Sequence, residues 1–423
     1  MKSQVLRQVT VVLSAVLAAA VALPNSARAD WVFETIDSEG NVGGYPSIKV
    51  DAAGIPHVAY IDATNGCLKY GKRVGDGWQT ETVPTPHMGS GCGTPSLALD
   101  SQGRPHIVCN EFTWHWEPLA YMRWDGTQWI AEEFQPPGRS PCLSLALTST
   151  DQPRIAIMGA GYWLCYMESD GAGWMTTVLV QTAWAGTRPA LALDSADNPR
   201  IAIAMSYYDC YLYYWEFDGA EWSDEAVALV DQWTTTGALA LDSLDQPHVV
   251  YSSSGSLTAT YAYRSGSGWI HQTITPPIAQ RPCLALDACD QPHVAYGCGF
   301  DRLGYAHRTT SAWCVTTFDP GRMVDPTIAV DSSGCPHIVA YDDTNGDLKY
   351  ARWDPSVTTG DLNGDGCVNF GDINPFVLYQ SNIEIWQEVF PFVPPANGDI
   401  NGDGTYPSFR DINPFVALLA GAQ

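Results

Sequence analysis

One unit of sequence recurs along most of this chain, and any fold must accommodate all of its copies. Between Thr94 and Phe134 it reads PSLALD, a turn SQGRPH, IVC, an aromatic loop, LAYMRW, a DGTQ turn and WIAEEF. Four short stretches rich in Val, Ile, Leu, Tyr and Trp are divided by turn residues, the pattern of four antiparallel strands. First strands of this type occur at PSIKVD (46–51), PSLALD (95–100), PCLSLALT (141–148), PALALD (189–194), ALALD (238–242), PCLALD (282–287) and PTIAVD (326–331).

A unit of about 44–49 residues made of four strands, here called a to d, predicts an all-β fold: a β-propeller with one unit per blade. Seven first strands are matched by seven fourth-strand tryptophans, Trp31, Trp78, Trp129, Trp174, Trp222, Trp269 and Trp313. The last unit stops at Asp354-Pro355 without its strand d, while WVFETI (31–36) is a strand d without a head. The count balances only if the segment at Trp31 completes the blade begun at Pro326. Such a seam leaves no strand edge open. Blades are numbered 1 to 7 in the order of their first strands.

Laid out this way, several reactive-looking residues become scaffold. The a–b turn carries Asp and then Pro-His in five blades: Asp51/His57, Asp100/His106, Asp242/His248, Asp287/His293 and Asp331/His337. One such pair would suggest acid–base chemistry; five at one position argue for hydrogen bonds that staple a hairpin. Blade 4 substitutes Asp194/Arg200 and keeps the acceptor and donor. The strand-c tyrosines (Tyr70, Tyr121, Tyr166, Tyr214, Tyr261, Tyr305, Tyr350) read as packing residues with the hydroxyl tied to a neighbouring blade.

The chain opens with Lys2 and Arg7, an apolar run from Val9 to Leu23, and Ala27-Arg28-Ala29 before Asp30. That layout predicts a secretory signal over residues 1–29, since the run is shorter than the roughly 20 residues a membrane span needs. No other stretch is long enough to span. Cleavage moves the formal charge from −25 to −28, which disfavours a nucleic-acid partner and suits a secreted, extracellular or cell-surface protein. All twelve cysteines lie beyond residue 29, as an oxidising compartment allows, and two pairings have a geometric case: Cys283 with Cys298, and Cys67 with Cys92.

Propellers generally bind ligands on the face made by d–a and b–c loops, so residues that differ between blades there are the candidates. They are Glu111, Trp114, Trp116, Trp163, Trp184, Arg188, Tyr207, Tyr208, Trp233 and Arg281. Exposed Trp and Tyr beside Arg and Glu suit the mixed surface of a sugar ring. The same residues suit packing over the core, or a protein partner. A glycosidase needs two carboxylates about 5–10 Å apart. Glu111, Glu117, Asp209, Asp301 and Asp325 are available, and none is singled out as catalytic.

The c–d hairpins Asp125-Gly126-Thr127-Gln128-Trp129 and Asp218-Gly219-Ala220-Glu221-Trp222 resemble the Asp-box of sialidase-like propellers, without its preceding Ser or Thr. In that family the box is a folding element remote from the active site.

After a linker at residues 355–360, segment 361–423 contains two acidic loops. The first places Asp361, Asn363, Asp365, the carbonyl of Cys367 and Asp372 at positions 1, 3, 5, 7 and 12, with Gly366 at 6, the spacing that wraps one calcium ion. The second supplies Asp399, Asn401, Asp403, Thr405 and, after one extra residue, Asp411. Each loop is followed by Ile-Asn-Pro-Phe, with Pro375 and Pro414 suited to a helix's first turn. The doubled D-x-N-x-D-G followed by a helix resembles a dockerin, a small α-helical EF-hand-like module. The resemblance implies calcium as cofactor and a cohesin-like module as partner. Dockerins commonly accompany polysaccharide-degrading domains. The expectation is therefore a secreted propeller that binds carbohydrate or another extracellular ligand, with a carbohydrate-active hydrolase or lyase and a protein scaffold as alternatives.

Overall fold

The computed structural model describes residues 31–421 except 88–91, 112–117, 137–138, 161–162, 172, 182–186, 207–208, 232–233, 254–257, 267, 275–278, 299–301, 309–312, 319–320, 354–359, 361, 363–371, 390–392, 394 and 401–406. The signal-like segment 1–29 lies outside these residues. Seven four-stranded antiparallel sheets follow one another along the chain. Blade 1, for example, is Val42–Val50, Pro56–Asp62, Cys67–Val74 and Gly77–Thr82, paired in that order. The seam closes as the tryptophan count requires: Trp31–Asp37 pairs antiparallel with Asp347–Trp353, Trp31 opposite Trp353, as strand d of blade 7.

The core lies between neighbouring sheets, so each apolar cluster is shared by two blades. Val58, Tyr60, Val339 and Tyr350, for instance, bury together across the joint of blades 7 and 1. At every joint a strand-c tyrosine meets the strand-d tryptophan of the next blade edge to face, with centroids 4.9–5.6 Å apart. Trp31 takes its place in this series by packing on Tyr305.

The tyrosine hydroxyl bonds within its own blade, and in two blades it also meets an arginine of the next one as the sequence leads one to expect, Tyr261 with Arg308 and Tyr350 with Arg73. In five blades it lies 2.5–2.7 Å from His Nδ1 of its own blade. The other ring nitrogen faces the turn aspartate at 3.3–3.6 Å. Asp–His–Tyr is thus a structural relay that fixes the ring against its tryptophan. A tightly filled site leaves no room for a charge: burial pushes the His57 imidazole down to about 4, with Lys72 adding and Asp51 opposing. Burial alone would raise Asp331, but bonds from His337, Ser333 and the Cys335 amide outweigh it and hold the carboxyl at about 2. In the c–d turns, Asp125 accepts from the amides of Thr127 and Gln128, and Asp218 from those of Ala220 and Glu221.

Two further sets of bonds cross the joints. On the inner strands a hydroxyl accepts the amide of the next blade: Ser47 from Leu97, Ser96 from Leu145, Ser144 from Leu191 and Thr327 from Ile48. Cys283 occupies the same position in blade 6, its thiol against the Ile328 amide. Blades 4 and 5 have Ala190 and Ala238 there. In the a–b turns, Ser101, Ser149, Ser195 and Ser243 bond through amide and hydroxyl to Asp151, Asp197, Asp245 and Asp290 of the following blade, the hydroxyls at 2.6–2.7 Å. Those aspartates sit at φ 59–63°; blades 1, 2 and 7 use Gly54, Gly103 and Gly334 at that left-handed position.

Neither expected cysteine pair forms. In the register Cys283 faces Ala295 and Cys298 faces Ala279, two rungs apart. Cys67 and Cys92 are free thiols. Beyond the ring, helices Ile373–Ser381, Ile383–Val389 and Ile412–Gly421 enclose a small separate core of Leu362, Phe376, Tyr379, Trp386, Val393, Phe415 and Leu419.

Replacing Trp31 removes a nearly buried ring that also packs on Phe318 and Trp353. Trp31→Ala is predicted to cost about 3–5 kcal/mol in denaturant unfolding. The pH dependence has a defined sign. Unfolded His57 takes a proton near 6.5 and folded His57 only near 4, so its contribution is complete above 6.5 and lost as pH falls through that window. His57→Gln is predicted to flatten the stability curve between those pH values by roughly 3 kcal/mol, read from unfolding at each pH.

Candidate functional site

The repeated first-strand pattern opens on proline in most blades, and proline denies its predecessor the right-handed helical region. In blades 1, 6 and 7 the predecessor is Tyr45, Arg281 or Asp325, at φ 50°, 46° and 50°. None is glycine, so each holds a strained backbone. The strands register this as irregularities between Gly44 and Ser47, Gln280 and Cys283, and Val324 and Thr327. Strand a consequently begins earlier than its hydrophobic pattern alone suggests, at Val42, Ala279 and Met323 in these blades.

The three strained residues line one cavity of about 450 Å³ on the d–a and b–c loop face. This is within the usual range for a small-molecule site. Its polar groups are paired. Arg281 Nη1 donates to Asp325 Oδ1, Arg322 Nε lies 3.1 Å from Asp343 Oδ2, and the Tyr341 hydroxyl donates to Asn41 Oδ1 at 2.8 Å. Each guanidinium therefore faces its own carboxylate. Tyr45 adds an exposed aromatic face, and Ile61, Met323 and Val324 add apolar lining. The arrangement offers hydrogen bonds and flat apolar surface with balanced charge.

Arg188, from blade 4, instead donates to the carbonyls of Leu143 at 3.1 Å and Pro95 at 3.2 Å, joining blades 3 and 2. Burial depresses its pKa; Arg281 adds to that and Asp325 opposes it.

Of the sequence candidates, Arg281 lines the cavity. Glu111 is fully buried at the end of strand b: its Oε1 accepts the His87 amide at 3.0 Å and its Oε2 has no partner among the described residues. Trp163 is half-buried against the core shared by blades 2 and 3. Trp114, Trp116, Trp184, Tyr207, Tyr208 and Trp233 lie outside the described residues, as do Glu117 and Asp301. Asp209 is exposed, and Asp325 belongs to the cavity. Tyr45, Arg322, Tyr341, Asp343 and Asn41 carry no repeat-level signal that would nominate them from sequence. The exception is Tyr45, a bulky residue wedged between glycine and proline at the start of a strand.

In the C-terminal segment the two halves mirror each other. Asp372 and Asp411 are fully buried, and each accepts an amide near the start of its own loop: Leu362 at 2.8 Å and Ile400 at 2.9 Å. The extra residue of the second loop therefore does not displace Asp411 from the position of Asp372. Phe376 and Phe415 stack at 4.1 Å between the halves. Asp361, Asn363, Asp365, Cys367, Asn401, Asp403 and Thr405 lie outside the described residues, while Asp399 is described and half-buried. Among the described residues no three His, Cys, Asp or Glu side chains converge as a metal site.

No family model and no curated protein matches the sequence. Solved structures with similar folds include the BP39L lectin of Burkholderia pseudomallei, 11% identical over 73% of this chain and 95% of that one, TM-score 0.56. The β-propeller domain of Cps50 (Swd1) from Myceliophteria thermophila is 11% identical over 75% of this chain and 99% of that one, TM-score 0.52. The fucose-recognising lectin of Aleuria aurantia, a six-bladed propeller, is 14% identical over 65% and 95%, TM-score 0.48. At these identities the first two speak for the propeller fold, and the third is too distant to argue from.

Proposed function

We propose that the propeller is a carbohydrate-binding module whose site is the cavity over blades 6, 7 and 1. The observation that carries this reading is the pairing of polar groups around an exposed tyrosine: Arg281 with Asp325, Arg322 with Asp343, Tyr341 with Asn41. A site with balanced charge has little to offer an anion, whereas paired donors and acceptors beside an aromatic face match a neutral sugar. That a propeller of similar fold is a lectin agrees with this reading. Asp325 and Asp343 in one cavity are the observation that favours a glycosidase. That mechanism needs one carboxyl free to carry and deliver a proton, and both are engaged by arginine.

The C-terminal segment is read as a calcium-dependent, dockerin-like tether to a cohesin-type module. The doubled loop spacing and the matching Asp372 and Asp411 bonds support it. Asp361, Asn363, Asp365, Cys367 and Asp372 would hold one ion and Asp399, Asn401, Asp403, Thr405 and Asp411 the other, as oxygen donors to a hard cation. With residues 1–29 as its export signal, the protein would work outside the cell.

Calorimetric titration across neutral and uronate-containing oligosaccharides is predicted to find binding among the neutral ones, weakened about tenfold or more, about 1.4 kcal/mol, by Tyr45→Ala and by Asp343→Asn. Retention of no glycan would overturn the reading. Sugar release that depends on Asp325 or Asp343 would establish an enzyme instead. For the tether, full-length protein is predicted to take up calcium at both loops, and Asp361→Ala combined with Asp399→Ala to abolish that heat.

A further inference from the structure

Two thiols lie in contact where the connection into blade 2 meets strand b of that blade. Cys92 stands on the d–a connection leading into that blade, and Cys109 on its strand Pro105–Asn110. Both are buried, and their sulfurs are 3.6 Å apart. The backbones that carry them are already joined. Cys92 bridges Glu111, and the Gly93 amide donates to the Asn110 carbonyl at 2.8 Å. A β-carbon on Gly93 would come within 2.2 Å of Asn110 Oδ1, so any other residue here would have to displace the Asn110 amide. The sulfurs stand 3.6 Å apart against a bonded length of about 2.05 Å.

We propose that Cys92 and Cys109 form a disulfide in the oxidised protein, pinning the connection between blades 1 and 2 to strand Pro105–Asn110. The two thiols lose two protons and two electrons as the S–S bond forms. An external small-molecule disulfide accepts them and leaves as two thiols. Contact with Cys92 and burial both raise the pKa of Cys109, so exchange belongs to the folding chain rather than to the finished core. Cys67, half-buried nearby and close enough to Cys92 for their charges to interact, is the competing partner. A staple here would hold the Glu111 carboxylate over the His87 amide and fix the base of the loop that carries Trp114 and Trp116.

The test is a peptide map of full-length protein refolded with glutathione disulfide, alkylated and digested without reduction. A peptide joining Cys92 to Cys109 is expected. Dithiothreitol is expected to lower the melting temperature by about 5 °C, as closing a loop of this length implies. That shift should survive Cys67→Ser and shrink in Cys109→Ala to what reduction of the disulfide at Cys314 produces. A Cys67–Cys92 peptide, or alkylated Cys92 and Cys109 after oxidation, would overturn the assignment. The map is read on the unsubstituted protein, so it decides the pairing even where a variant fails to fold.

Discussion

The ring depends on one contact made at all seven joints, the edge of a strand-c tyrosine against the strand-d tryptophan of the next blade. A blade alone has two apolar faces and no way to bury either, so each sheet is stable only between neighbours. The tyrosine–tryptophan pair sets the distance and angle of that packing. In five blades the Asp–His–Tyr relay removes the tyrosine's freedom to turn away. Chemistry that elsewhere serves catalysis here orients a ring.

Where the blades depart from this shared plan, function becomes legible. Blades 6, 7 and 1 carry non-glycine residues in left-handed backbone at the start of the inner strand, and their side chains meet in the cavity. Strain of this kind is tolerated when something else is gained. Here the gain is an arginine, an aspartate and a tyrosine delivered to one place from equivalent positions of three blades. The seam of the ring thus lies within the candidate site.

Much of the architecture is readable in the sequence because repetition multiplies weak signals. Seven copies of one strand pattern set the blade count, and the unmatched Trp31 reveals the seam. The five-fold Asp/His repeat argues against acid–base chemistry. The site is less readable because it is built from the d–a and b–c connections of separate blades. Arg281 stands out in its loop, but its partner Asp325 is 44 residues away, and the relation of Arg322 to Asp343 depends on two strands folding together. The tyrosine hydroxyl's bond within its own blade is equally hidden, since spacing does not say on which side of a sheet a ring nitrogen waits. Cysteine pairing fails for a similar reason: Cys283 and Cys298 share a hairpin yet sit on different rungs.

The two sets of cross-joint hydrogen bonds have a consequence when counted around the circle. Inner-strand hydroxyls or the Cys283 thiol span the joints from blade 6 through the seam to blade 4. Turn serines and aspartates span those from blade 2 to blade 6. Together they tile the ring and leave no joint uncovered. The two halves of each bond are interchangeable over much of the ring, since the turn serines of blades 2 to 5 would meet an equivalent aspartate on any of blades 3 to 6. Of the possible omissions of one blade, loss of blade 6 is the one that sets a turn serine, Ser243, against a glycine, Gly334, and Ala238 against the Ile328 amide. Near-identical repeats invite such errors, and these bonds penalise the loss of blade 6 while tolerating the loss of most others.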